Sequence, residues 1–422
     1  MLLKHGRALT AMTPPSASRR LLLSLISLFV AIIFSVIGSE FVLQAAVHFS
    51  RLAGTVIFPA TYLVAFLPDP QLIYRGNPKF PEHDSNGFRN DGVPETADIA
   101  AIGDSHTYGL GVAPDEAWPR VLARLSGCRV YNMALSGWGP LQYEQMVERA
   151  LQFKARLLVI GIYFGNDFID SWLMYLRNPT RYPVPGKLLE LARSAEQQGA
   201  LADAANVLEW GGTIAPPPPA PDATSLRIFL RGNSALWGFG RALKARLTKA
   251  HSTILSTDFH TAVAALTPQE LEYASVFDGQ GWRTILTSRY REFVENDDDP
   301  RIKVGVWLTK WAIQTIDQLA KHNGSRAIFV LLPTKESVFA AKVTDPDRHP
   351  YLSKLITEED RHRRDLIGYM NGNGISYVDV APPLKEMARQ PYFENADGHP
   401  NSAGHARIAE IVYEKIGSCP LH

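Results

Sequence analysis

The run "LLLSLISLFVAIIFSVIGS", residues 21–39, carries no charged side chain. A helix needs about 20 apolar residues to cross the hydrocarbon core of a bilayer, so this stretch constrains the chain more than any other. A secretory signal is the competing reading, but its apolar region spans only about 7–15 residues, and no small-x-small cleavage site precedes Glu40. The run is therefore read as an uncleaved transmembrane anchor over residues 21–43, preceded by a basic cytoplasmic tail over residues 1–20. Lys4, Arg7, Arg19 and Arg20 stand in that tail with no acidic residue beside them. Positive charge next to a first span stays in the cytoplasm, which sends the rest of the chain to the other side. The expectation is a single-pass protein of the inner (cell) membrane whose bulk is periplasmic or otherwise extracytoplasmic. A second apolar run, "LAGTVIFPATYLVAFLP" at 52–68, is short for a span, contains Pro59 and follows Arg51. It is read as interfacial or re-entrant, within a juxtamembrane segment over 44–95.

Past residue 96 the pattern changes to short apolar runs separated by helical periodicity. "ADIAAIGD" (97–104), "RVYNMA" (129–134), "RLLVIGIYF" (156–164), "RAIFVLLP" (326–333) and "SYVDVA" (376–381) each end near Gly, Asn, Asp or Pro. Such runs fit buried parallel strands covered by helices on both faces. Residues 96–422 are thus expected to form a three-layer α/β/α domain with a mainly parallel, flavodoxin-like sheet of about five strands. A largely helical insertion at about 170–300, with the stiff run "APPPPAPDA", interrupts it. In an open sheet of this kind, functional loops gather at the carboxyl ends of the strands. Lys and Arg number 43 against 42 Asp and Glu, a net charge of +1, so no basic footprint speaks for nucleic acid.

Three consecutive strand ends carry the chemistry. Ser105 lies in "GDSHTYG", Gly137 in "NMALSGWGP" and Asn166 in "YFGNDF", while Asp397 and His399 lie in "NADGHPNSAGH". Each alone has a plainer role: Ser105 as a helix cap, Gly137 and Asn166 as turn residues, Asp397-Gly398 as a turn pair. Together, in this order, the four blocks resemble the SGNH (GDSL-like) hydrolase superfamily over residues 97–168 and 376–417. That resemblance implies a catalytic triad of Ser105, His399 and Asp397. It also implies an oxyanion hole built from the backbone N–H groups of Ser105 and Gly137 and the Asn166 amide. No cofactor or metal is expected.

The chemistry agrees with those roles. A serine hydroxyl must lose its proton to a base as it attacks a carbonyl, and a carboxylate orients that base. His106 is a neighbour of the nucleophile rather than its base, because consecutive helical positions point about 100° apart. His405 reads as structural. The sequence departs from the usual pattern in its Asp-x-His spacing, where Asp-x-x-His is common, and in Gly165 standing directly before Asn166. The shorter spacing resembles alginate-type O-acetyltransferases. The expected substrates are therefore esters, above all an acylated envelope carbohydrate, with a membrane-bound O-acyltransferase as partner if acyl groups are transferred. A catalytically inactive carbohydrate-binding or polysaccharide-assembly protein on the same fold is the alternative. "PTKES" brings Lys335 and Glu336 to the same rim, where a surface ion pair accounts for them as well as substrate binding does. Cys128 precedes the second strand and Cys419 follows the last helix. They either remain two thiols or, in an oxidising compartment, form a bridge worth about 2–4 kcal/mol.

Overall fold

The computed structural model describes residues 17–50, 53, 57, 65–197, 234–236, 239, 240, 243, 258–266, 274–279, 281–286, 295–343 and 350–419. The Pro-rich run, most of the 52–68 stretch and most of the expected insertion lie outside the described residues. Two compact units divide the chain: Met1–Leu63 with Pro221–Ala250, and Val64–Ala220 with His251–His422.

In the first unit, helix α1 (Ala17–Phe49) runs for 33 residues, about 50 Å at about 1.5 Å per residue. Within Leu21–Phe49 the most apolar 18 residues have a mean hydropathy of 2.8 and none of them is buried, so the helix is long and apolar enough to cross a membrane. Near its end Glu40 accepts hydrogen bonds from Ser234 Oγ at 2.8 Å and from the N–H groups of Ala235 at 2.7 Å and Leu236 at 3.0 Å. A carboxylate there satisfies backbone donors that a helix start leaves open. Leu43 and Val47 pack with Ile57 and Ala235 beside it.

The second unit opens with an antiparallel hairpin, β1 (Phe66–Asp69) and β2 (Ile73–Gly76). Strands β3 (Ile99–Ile102), β4 (Val130–Asn132) and β5 (Leu157–Tyr163) begin the main sheet. A further hairpin, β6 (Ser275–Gly279) and β7 (Trp282–Leu286), precedes the last two sheet strands, β8 (Arg326–Leu332) and β9 (Tyr377–Asp379). All five main strands are parallel, in the order β4-β3-β5-β8-β9. Because side chains alternate along a strand, the sheet buries both faces. Ile99 and Ala101 enter one core and Ala100 and Ile102 the other.

Helices α2 (Ser105–Tyr108), α3 (Trp118–Ser126), α4 (Pro140–Gln152), α5 (Asp167–Arg177) and α6 (Gly186–Gln197) come before the second hairpin, as does α7 (Phe259–Ala265). After it come α8 (Pro300–His322), α9 (Lys335–Phe339), α10 (Pro350–Gly372), α11 (Ala381–Lys385) and α12 (Ser402–Ile416). Tyr143, Trp172 and Leu308 of α4, α5 and α8 close one face, while Trp118, Leu122, Ile408 and Val412 of α3 and α12 close the other. Each fully buried aliphatic side chain contributes roughly 1.5–3 kcal/mol, so these layers rather than local propensity hold the helices. Cys128 and Cys419, 291 positions apart, are joined in a disulfide with their Cα atoms 5.3 Å apart. The Cys419 N–H donates to Ser126 O at 2.9 Å, which fixes the chain after α12 against the end of α3.

Candidate active site

Ser105 is the first residue of α2, directly beyond the carboxyl end of β3. Asp104 caps that helix: its carboxylate accepts the His106 N–H at 2.9 Å. Gly103 is required by close approach, since a Cβ there would stand 2.7 Å from Thr107 Cβ. The turn is also held from outside, where the buried Arg89 donates to the carbonyls of Tyr108 at 3.4 Å and Val112 at 2.7 Å, and to that of Gly109. His83 bonds the Tyr108 hydroxyl at 2.8 Å.

The histidine loop meets this turn from the far end of the chain. His399 Nε2 lies 2.8 Å from Ser105 Oγ, and His399 Nδ1 lies 2.5 Å from Asp397 Oδ1. The same Asp397 oxygen accepts the His399 N–H at 2.9 Å, so the two-residue spacing closes a small turn that aims the ring. Asp397 is buried, which alone would raise its pKa. The His399 ring, the two hydrogen bonds from His399 and the cation of Lys335 outweigh burial and hold it below the usual carboxylate range. Ser105 Oγ also lies 3.3 Å from Asp104 Oδ2, and burial pushes the Asp104 carboxyl up to about 6 against the pull of His399.

Gly137 and Asn166 follow β4 and β5, the two neighbours of β3. Gly137 has φ +79°, a left-handed conformation that favours glycine. Asn166 precedes α5 without capping it through its side chain, and its Oδ1 is buried with no hydrogen-bond partner among the described residues. Tyr143 links the two loops, its hydroxyl lying 3.0 Å from Trp138 O and 2.9 Å from Asp167 Oδ1. Among the described residues, no hydrogen bond engages the N–H of Ser105 or of Gly137.

His106 and His405 take other places. The His106 ring lies over Tyr163 at 3.6 Å between centroids and 4.8 Å from the His399 ring, while Ser105 Oγ bonds His399. His405 is buried in α12, and its Nδ1 accepts the Trp118 N–H at 3.3 Å. Burial lowers its pKa to about 3. No group of His, Cys, Asp or Glu among the described residues is disposed to hold a metal ion.

Lys335 and Glu336 correct the reading of a surface ion pair: each is only 1% exposed. Lys335 Nζ instead donates to backbone carbonyls of Ile285, Asn395 and Asp397. Sequence reasoning brought Lys335 to the rim but left it outside the site, because lysine is usually solvated. The available signal was its place just past a buried strand, at the rim where the other loops meet.

No curated protein matches the chain. Among solved structures, an extracellular lipase from Streptomyces rimosus is 12% identical, covers 76% of this chain and 99% of its own, and superposes with a TM-score of 0.34. A GDSL-like lipase from Bacteroides thetaiotaomicron VPI-5482 is 11% identical over 75% of this chain and 86% of its own, with a TM-score of 0.31. The lipase Lip_vut3 from a goat rumen metagenome is 13% identical over 76% and 97%, with a TM-score of 0.28. Likenesses this faint carry no argument about substrate or mechanism. The model of the GDSL-like lipase/acylhydrolase family matches residues 101–274, which hold the Ser105, Gly137 and Asn166 blocks and stop short of Asp397 and His399. Residues 101–274 are thus similar to the GDSL-like lipase/acylhydrolase family, and the parallel five-stranded sheet presents the matched blocks at adjacent strand ends.

Proposed function

We propose that the protein is a membrane-anchored serine esterase in which Ser105, His399 and Asp397 form the catalytic triad. The observation that carries this reading is the unbroken hydrogen-bonded row from Asp397 Oδ1 through His399 to Ser105 Oγ. His399 Nε2 takes the Ser105 proton as Oγ attacks the ester carbonyl, and Asp397 stabilises the imidazolium that forms. The N–H groups of Ser105 and Gly137 and the amide of Asn166 receive the oxyanion. The imidazolium returns its proton to the departing alkoxide, leaving an acyl-serine. Water then releases the acid, or a sugar hydroxyl accepts the acyl group, with His399 again as base. The Asp-x-His spacing favours acetyl groups on an envelope carbohydrate as substrate, with a membrane-bound O-acyltransferase supplying them where transfer occurs.

Helix α1 anchors the enzyme in the inner membrane with the hydrolase domain on the extracytoplasmic side. A reporter fused after His422 is expected to give an extracytoplasmic signal, and a cytoplasmic one would overturn the orientation. For the activity, full-length protein is treated with short- and long-chain acyl-ester reporters and a serine-reactive phosphonate. Wild type should turn over an ester and be labelled, and Ser105→Ala should do neither. Folded wild type that does neither with any acyl length would overturn the esterase reading and favour the non-catalytic carbohydrate-binding alternative.

A further inference from the structure

The strongest feature outside the proposed triad is the buried cation beside it. Lys335 sits at the start of α9, immediately beyond β8, and is 1% exposed. Its Nζ lies 2.6 Å from Asn395 O, 3.2 Å from Asp397 O and 3.3 Å from Ile285 O. An ammonium group has three N–H donors and no acceptor, whereas a neutral amine has two donors and a lone pair. Three carbonyl oxygens therefore select the protonated form. Two of them bracket the peptide segment that carries the Asp397 side chain, and the third belongs to β7.

We propose that Lys335 is a positioning residue for the esterase reaction, its ammonium fixing the backbone on either side of Asp397 so that Asp397 and His399 stay in line with Ser105. The inference rests on the triad reading given above. The loop needs such a tie because it lies outside the sheet: its own turns are Asn395 Oδ1 to the Asp397 N–H at 2.9 Å and Asp397 Oδ1 to the His399 N–H at 2.9 Å. Those bonds are local and move with the loop. Lys335 connects it to the end of β8, and Tyr392 adds a second connection by donating to Pro333 O at 2.8 Å. The cation also attracts the Asp397 carboxylate, which supports the ionised form that the imidazolium requires. In this role Lys335 acts through Asp397 and not on the ester itself.

A merely structural lysine and a positioning one differ in what survives in folded protein. In detergent-solubilised full-length Lys335→Met, which keeps the apolar stem and volume but removes the donors, kcat on p-nitrophenyl acetate should fall about 10- to 100-fold, as for a small misplacement of catalytic groups. KM should stay within about twofold, since no substrate contact is lost. The rate of Ser105 labelling by a phosphonate should fall in parallel with kcat. Wild-type kcat and labelling in a folded variant, or a loss confined to KM, would overturn the proposal. Should Lys335→Met not fold, Lys335→Gln keeps two N–H donors without the charge and is read in the same way. Ser105→Ala is measured alongside. Turnover retained in Ser105→Ala would overturn the triad reading itself, whereas an inactive Ser105→Ala beside a fully active Lys335→Met would overturn the role of the lysine alone.

Discussion

The two loops that meet at Ser105 and His399 are built in opposite ways. The serine turn is set by its neighbours in sequence: β3 is paired on both sides, Asp104 caps α2, and Gly109, with φ +83°, ends it by donating to Ser105 O at 3.0 Å. The histidine loop has no such frame. Besides its own local turns and an isolated bridge between Tyr392 and Pro400, it is tied to the sheet by Lys335, which reaches it from far away in sequence. The proposed nucleophile is thus placed chiefly by secondary structure, and the proposed base depends more on tertiary contacts.

The comparison implies that both loops are equally needed for one chemical act, and the largest effects test that. Ser105→Ala and His399→Ala should each lower kcat by about 10⁴–10⁶-fold, and the double variant should be no worse than either alone, because residues that act as a unit are not additive. Esterase assays on the three purified proteins read this out. A double variant far below both singles would show that the loops work separately.

Asn166→Ala should cost about 10²–10³-fold in kcat, the loss of one oxyanion donor, with Ser105 still labelled by phosphonate. A change confined to KM would instead place Asn166 in substrate binding.

This contrast also explains how much of the molecule was legible in the sequence. Apolar runs bounded by Gly, Asn and Asp announced all five main strands, because a buried parallel strand has little freedom in composition. Ser105, Gly137 and Asn166 were legible for the same reason: each sits just past a strand end, in a turn whose residue types are restricted by backbone geometry. Asp397 and His399 were legible only as a motif, since nothing local says what the loop packs against. The rim position of Lys335 was legible but its burial was not, and Arg89 was not legible at all. A charged residue is ordinarily solvated, and only the folded backbone reveals that carbonyls of Asn395 and Asp397, or of Tyr108 and Val112, converge on it.

The disulfide sharpens the comparison on the stability side. It ties the chain beyond α12, the helix that follows the histidine loop, to the start of β4 next to the serine strand. Replacing both Cys128 and Cys419 by Ser should lower unfolding free energy by about 2–4 kcal/mol. The kcat of protein that remains folded should be preserved, because the loop itself is held by Lys335. Denaturant melts with activity measured before the transition decide it. A fall in kcat matching that of Lys335→Met would mean that the terminal staple, not the lysine, sets the loop.

The last comparison sets two buried histidines against each other, one on each side. His83 bonds Asn77 O at 3.0 Å and the Tyr108 hydroxyl beside the serine turn, and burial lowers its pKa to about 4. His405, in the helix after the histidine loop, is lowered by burial to about 3. In the unfolded chain both titrate near 6.5. Below that pH the unfolded state therefore binds protons that the folded state refuses. The stabilisation is complete above about pH 6.5 and is lost as pH falls, until each group also protonates in the folded state. Each histidine should add up to about 1.4 kcal/mol per pH unit to the acid limb of unfolding free energy. His83→Gln should flatten that limb between about pH 6.5 and 4, and His405→Gln should flatten it down to about pH 3. Between about pH 4 and 3, only the second variant should differ in slope from wild type. Urea unfolding followed by tryptophan fluorescence across this range tests the distinction. A limb as steep in His405→Gln as in wild type would show that this histidine is not held neutral in the fold.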